Sequence, residues 1–179
     1  MFLKHQSPDE RLAAWRAVRQ ASHETVEQVL EERITFRPGG KTLVSTMKAN
    51  GAYTALVSGG FTAFSIPIGT NLGFDEQHAN ILVEENGVFT GKVAEPILGK
   101  NEKVNQLNRL VKERGLMHSD VLAVGDGAND LGMLAIAGIG VAMHAKPIVA
   151  EKCDIVINHC DLSSLLYLQG YKKEDFVST

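Results

Sequence analysis

Residues 122–131 read Leu122-Ala123-Val124-Gly125-Asp126-Gly127-Ala128-Asn129-Asp130-Leu131, an apolar run that stops at glycines and carboxylates before a helical pattern begins. Consecutive apolar residues such as Val121 to Val124 fit a strand buried on both faces, the usual state in a parallel sheet. Gly125 and Gly127 allow a tight turn and close approach of backbone to a ligand, and Asn129 is the expected N-cap of a helix carrying Leu131, Leu134 and Ile136. In open α/β sheets, ligands sit beyond the carboxyl ends of the strands, which is where Asp126, Asn129 and Asp130 fall. Two carboxylates and an amide there suit a hard cation such as Mg²⁺ together with a phosphate. A plain polar turn, with Asn129 as cap and Asp130 at the helix dipole, would account for one carboxylate but less well for the cluster.

Downstream, Gly138 to Met143 reads as a further strand, Ala145-Lys146-Pro147 opens a short helix, and Ile155-Val156-Ile157 is an edge strand. Asp161 is expected to cap a last helix around Leu162, Leu165 and Leu166, with residues 172–179 as a solvated tail. His159-Cys160-Asp161 lacks the second ligand pair that a soft-metal site requires. Upstream, residues 101–115 read as a helix with Val104, Leu107, Leu110 and Val111 inward and Lys103 in its first turn, by its pattern an ordinary surface position.

Tyr53 to Val57 is a second buried strand, ending in Ser58-Gly59-Gly60. A hydroxyl and glycine-freed N–H groups at a strand end can cradle phosphate oxygens, although Ser58 could equally cap a helix beginning near Phe61. A serine-hydrolase elbow is disfavoured, because G-x-S-x-G would need glycine where Leu56 stands. Pro67 is expected to kink or shorten the helix that follows. His78 to Val93 reads as a hairpin, with Asn86-Gly87 between β-forming runs. Nearer the start, Ser7-Pro8-Asp9-Glu10 opens one helix, Val26, Val29 and Leu30 mark a second, and Leu43, Val44 and Met47 lie on a third that stops at Asn50-Gly51.

The 179 residues are 44% apolar and 22% charged, enough for one sizeable core. A formal net charge of −3 without a basic cluster argues against nucleic-acid and membrane-surface partners, and no apolar run reaches the length of a membrane span. Two cysteines without CxxC spacing imply reduced thiols in a cytoplasmic protein. A nicotinamide-binding fold would need G-x-G-x-x-G, and Asp130 replaces its third glycine with a charge that repels pyrophosphate.

The βαβ order, Val57-Ser58-Gly59-Gly60-Phe61-Thr62, the hairpin, Lys103, Val124 to Leu131 and Ala145-Lys146-Pro147 together resemble the haloacid dehalogenase-like phosphohydrolases, and among them the phosphoserine phosphatases. The resemblance runs from about Phe36 to about Phe176 and implies a three-layer α/β, Rossmann-like parallel sheet with a β-hairpin flap. It divides the chain into residues 1–35, the remnant of a helical cap, and residues 36–179, the core domain. It implies that Ser58 and Gly59 bind the phosphoryl group, that Lys103 holds phosphate as a point charge, and that Asn129 touches substrate. Asp126 would be a Mg²⁺ ligand and Asp130 would support the lysine and the metal shell. The implied reaction is attack by an aspartate on O-phospho-L-serine, giving an aspartyl-phosphate that water hydrolyses, with Mg²⁺ neutralising charge.

That nucleophile belongs to an Asp-x-Asp-x-Thr motif at the end of an amino-terminal strand, and the motif occurs nowhere in these 179 residues. Asp9 opens a helix and is a poor substitute, while Arg16 and Arg19 are weak candidates for contacts from the cap to the substrate carboxylate. The missing strand is central in such sheets, so its loss leaves the strands ending at Ser58 and Asp126 with unpaired edges that invite association, including homo-oligomerisation. The expectation is a phosphoserine phosphatase-like domain that is inactive alone, or a truncated homologue that binds a phosphorylated ligand or needs a partner chain.

Overall fold

The computed structural model describes residues 23–99 and 101–177. The helix expected at Ser7, together with Asp9, Arg16 and Arg19, lies outside the described residues. Those described divide into two compact units, one of residues 98–160 and the other of residues 23–97 with 161–177.

The larger unit begins with α1 (His23–Glu32) and α2 (Gly40–Ala49), and continues through β1 (Ala55–Phe61), α3 (Thr62–Leu72), β2 (Glu76–Asn80), β3 (Leu82–Glu85) and β4 (Val88–Val93). Strands β1 and β2 pair in parallel, and β3 and β4 form the antiparallel hairpin around Asn86-Gly87. Asn86 and Gly87 both take positive φ (52° and 78°), as a two-residue turn between twisted strands requires. Val26, Leu82 and Phe89 form a buried cluster, with Leu30, Phe61 and Phe64 packed against it.

One expectation fails here. The hairpin does not begin at His78, because His78 lies in β2, whose sequence Glu-Gln-His-Ala-Asn is too polar to read as a buried strand. Its ladder with β1 supplies what its side chains do not signal. Pro67, expected to kink or shorten the helix, lies inside α3, which runs on to Leu72 with Ser65, Ile68, Gly69 and Leu72 buried along it. Packing outweighs the lost backbone bond.

The second unit contains α4 (Glu102–Arg114), a 3₁₀ turn at His118–Asp120, β5 (Leu122–Gly125), α5 (Leu131–Ile136), β6 (Ile139–Met143), α6 (Pro147–Ala150) and β7 (Ile155–Ile157). The strands form one parallel sheet in the order β5-β6-β7, so Ile155–Ile157 is an edge strand as the sequence implies. Leu107, Val111, Ala123, Leu134, Ala142 and Val149 form its core. Helix α5 lies so close to β6 that a Cβ on Gly140 would sit 2.1 Å from the Leu134 carbonyl oxygen, so only glycine fits there.

Back in the larger unit, α7 (Ser164–Leu168) completes the described helices. Its N-cap is Ser163, not Asp161, which instead accepts hydrogen bonds from the Ser163 N–H (2.9 Å) and hydroxyl. Residues 172–175 are exposed, as a solvated tail should be, and the two described residues after them pack back on the unit. The Tyr167 and Phe176 rings meet at a 52° tilt with centroids 5.0 Å apart, and the Val177 N–H donates to the hydroxyl of fully buried Thr46 at 2.9 Å.

The parallel strands and intervening helices are those of the expected α/β class. Among the described residues, β1 pairs with β2 alone and β5 with β6 alone, so the parallel strands are divided between two sheets.

Candidate functional site

The turn after β5 is built around a buried carboxylate. Asp130 is 2% exposed, and its Oδ2 accepts hydrogen bonds from the N–H groups of Asp126 and Gly127, both at 2.9 Å. Its other oxygen, Oδ1, accepts from the Lys103 ammonium. In return the Asp130 N–H donates to the Gly127 carbonyl, and the Asp130 carbonyl takes the Leu134 N–H, each at 2.9 Å. Asp130 is therefore the N-cap of α5, the place expected for Asn129. Its side chain bonds backward into the turn and not forward into the helix.

Local sequence explains why this geometry forms. A Cβ on Gly125 would lie 2.3 Å from the Asp130 Cβ, so glycine at the strand end lets the carboxylate tuck beneath the turn. Lys103 sits in the first turn of α4, and a Cβ on Gly132 would come within 2.9 Å of Val104 Cγ2. That close approach of α4 and α5 brings the lysine to Asp130. The Lys146 N–H donates to the Asp126 carbonyl at 3.2 Å, tying the loop before α6 to the same turn.

The structure thus brings Lys103, Asp126 and Asp130 together, with Asn129 exposed and Asp126 half-buried at the turn. Among the described residues, no group of three or more His, Cys, Asp or Glu side chains is placed to hold a metal ion, which includes His159-Cys160-Asp161.

Ser58 and Gly59 belong to the other unit. Val57 pairs with His78 and Phe61 with Asn80, so β1 advances four residues where β2 advances two. The surplus forms a bulge at Ser58-Gly59-Gly60, with both glycines exposed. Within it the Gly60 N–H donates to Ser58 Oγ at 3.0 Å. Ser58 does not cap α3, whose N-cap is Phe61. Asn80, 8% exposed, donates from Nδ2 to the Gly59 carbonyl at 3.2 Å. Nothing in Ala79-Asn80-Ile81 announces this contact, since it depends on the pairing of a strand the sequence does not signal.

A haloacid dehalogenase-like hydrolase family model matches residues 2–135. The chain belongs to the haloacid dehalogenase-like hydrolases. Within that family it is 39% identical over 150 residues to a phosphoserine phosphatase of Streptomyces coelicolor, covering 84% of this chain and 36% of that one. It is 40% identical over 143 residues to a phosphoserine phosphatase of Methanocaldococcus jannaschii, covering 80% of this chain and 67% of that one. A substrate-bound phosphoserine phosphatase complex superposes with a TM-score of 0.79 at 36% identity, covering 89% of this chain and 76% of the other. The chain spans 36% to 71% of the length of the curated relatives it matches.

Proposed function

We propose that this member of the haloacid dehalogenase-like hydrolases is phosphoserine phosphatase-like, carrying the phosphoryl-binding half of a site whose nucleophilic aspartate is absent from the 179 residues. The observation that carries this is the buried Asp130, which holds Lys103 and the Asp126–Gly127 turn in one network. An ammonium has three donors, so Lys103 keeps two for phosphate oxygens while Asp130 fixes its position. Ser58 and Gly59 bind the phosphoryl group, and the exposed Asn129 contacts the substrate. Residues 1–35 belong to a cap and residues 36–179 to the core.

Mg²⁺ is the ion this reading implies, with Asp126 as its ligand. Both Asp130 oxygens hold Lys103 and the turn, so Asp126 is the carboxylate that would serve the ion, which takes one or two carboxylates and completes its shell with substrate phosphates and water. The chain's own residues orient the phosphate and offset its charge, and among the described residues β1 and β5 each keep an edge to which a further strand can add. A second reading, a catalytically silent binder of phosphorylated ligands, draws on the absence of Asp-x-Asp-x-Thr.

Phosphoserine hydrolysis by the purified chain with Mg²⁺, beside thermal melting with phosphoserine, tests this. The expected result is no turnover above a blank, because deleting an attacking group costs several decades in rate, together with a rise in melting temperature that Lys103→Ala abolishes. Turnover lost in both Lys103→Ala and Asp126→Asn would place a nucleophile in this chain or a second copy. A melting temperature indifferent to phosphoserine would sink the phosphoryl-binding reading.

A further inference from the structure

We propose that Asn80 is a positioning residue for the anion-binding turn at Ser58–Gly60, an inference that rests on the reading of Ser58 and Gly59 as the phosphoryl cradle. Asn80 is buried at the end of β2, opposite the bulge in β1, and its Nδ2 donates to the Gly59 carbonyl at 3.2 Å. The Gly59 carbonyl and the Gly60 N–H belong to one peptide unit, and in a trans peptide these two groups point in opposite directions. Holding the carbonyl toward β2 therefore turns the Gly60 N–H away from β2, and it donates to Ser58 Oγ at 3.0 Å.

This contact sets what Ser58 presents. A serine hydroxyl has one donor and two acceptor positions, and one acceptor position is occupied by the Gly60 N–H. The proton is left to donate to an anion, and accepting a hydrogen bond makes the hydroxyl a better donor, because bonds in a chain polarise one another. The order is Asn80 Nδ2–H to Gly59 C=O, then Gly60 N–H to Ser58 Oγ, then Ser58 O–H to a phosphate oxygen. Two exposed glycines would otherwise leave this turn many backbone conformations. Asn80 selects one of them from the neighbouring strand.

The test is a titration of the full 179-residue chain with inorganic phosphate, followed by the amide resonances of Gly59 and Gly60, for wild type, Asn80→Asp, Ser58→Ala and the double variant. Asn80→Asp keeps the shape and removes the donor; Asn80→Ala replaces it if the buried carboxylate prevents folding. The expected result is saturable shifts in wild type, about tenfold weaker binding on losing the Asn80 donor, and no further weakening when that change is added to Ser58→Ala. A purely structural role would give losses that add. Wild-type binding left unchanged by the Asn80 variants, or losses that add with Ser58→Ala, would overturn the role of Asn80 and leave the phosphoryl cradle standing. Absence of any phosphate response at Gly59 and Gly60 in wild type would overturn both.

Discussion

Asp130 shows how much one side chain can fix. It is 2% exposed, it closes the Asp126–Gly127 turn through Oδ2, and it anchors Lys103 through Oδ1. A buried charge that loses its partner is expensive, so Lys103→Ala should destabilise the chain by about 3–5 kcal/mol in urea unfolding. The double variant Lys103→Met, Asp130→Asn should cost less than the two single changes together, by about 0.5–3 kcal/mol, because each alone strands the other. Additive losses would mean that the pair contributes little and that the turn is held by its backbone. That a carboxylate, an amide and a glycine turn would stand together was legible from Gly125 to Asp130. Which of Asn129 and Asp130 caps the helix was not, since both are good caps and the choice depends on the steric space that Gly125 provides and on Lys103, which is distant in sequence.

At the scale of elements, apolar patterning identified β5, β6, β7, α2, α4 and the hairpin. It missed β2, where pairing decides. The segment joining α2, β1 and β2 carries a polar staple of the same unreadable kind. The Asp75 carboxylate accepts the Thr54 N–H and hydroxyl, both at 2.8 Å, and pairs with Lys48 of α2 at 2.9 Å, while Lys48 also donates to the Gly73 carbonyl at 2.7 Å. Burial pushes the Asp75 carboxyl up, but the bonds from Lys48 and Thr54 outweigh it and hold the group below its ordinary value of 3.8. A carboxyl lowered on folding adds stability that is complete above the unfolded value and is lost as pH falls through the folded one. Asp75→Asn should therefore be clearly less stable than wild type at neutral pH, and the gap should narrow below pH 3.8. A gap independent of pH in denaturant titrations would show that the staple works by shape and not by charge.

For the whole molecule, the determining feature is what lies beside the parallel strands. Strand β6 is bonded on both sides, whereas β1 and β5 each have one partner among the described residues. Unpaired edges template association, and a formal net charge of −3 opposes it only weakly. Hydrogen exchange separates the two kinds of strand. At low concentration the amides of β6 should be the slowest to exchange and those of β1 and β5 markedly faster. If a second copy supplies the missing neighbour, raising the protein concentration should slow exchange at β1 and β5 and leave β6 unchanged, while the sedimentation coefficient rises. Val124→Lys, which places a charge on β5, should suppress both effects in a chain that still melts cooperatively. A sedimentation coefficient independent of concentration, with β5 exchanging quickly throughout, would mean that this edge does not recruit another copy.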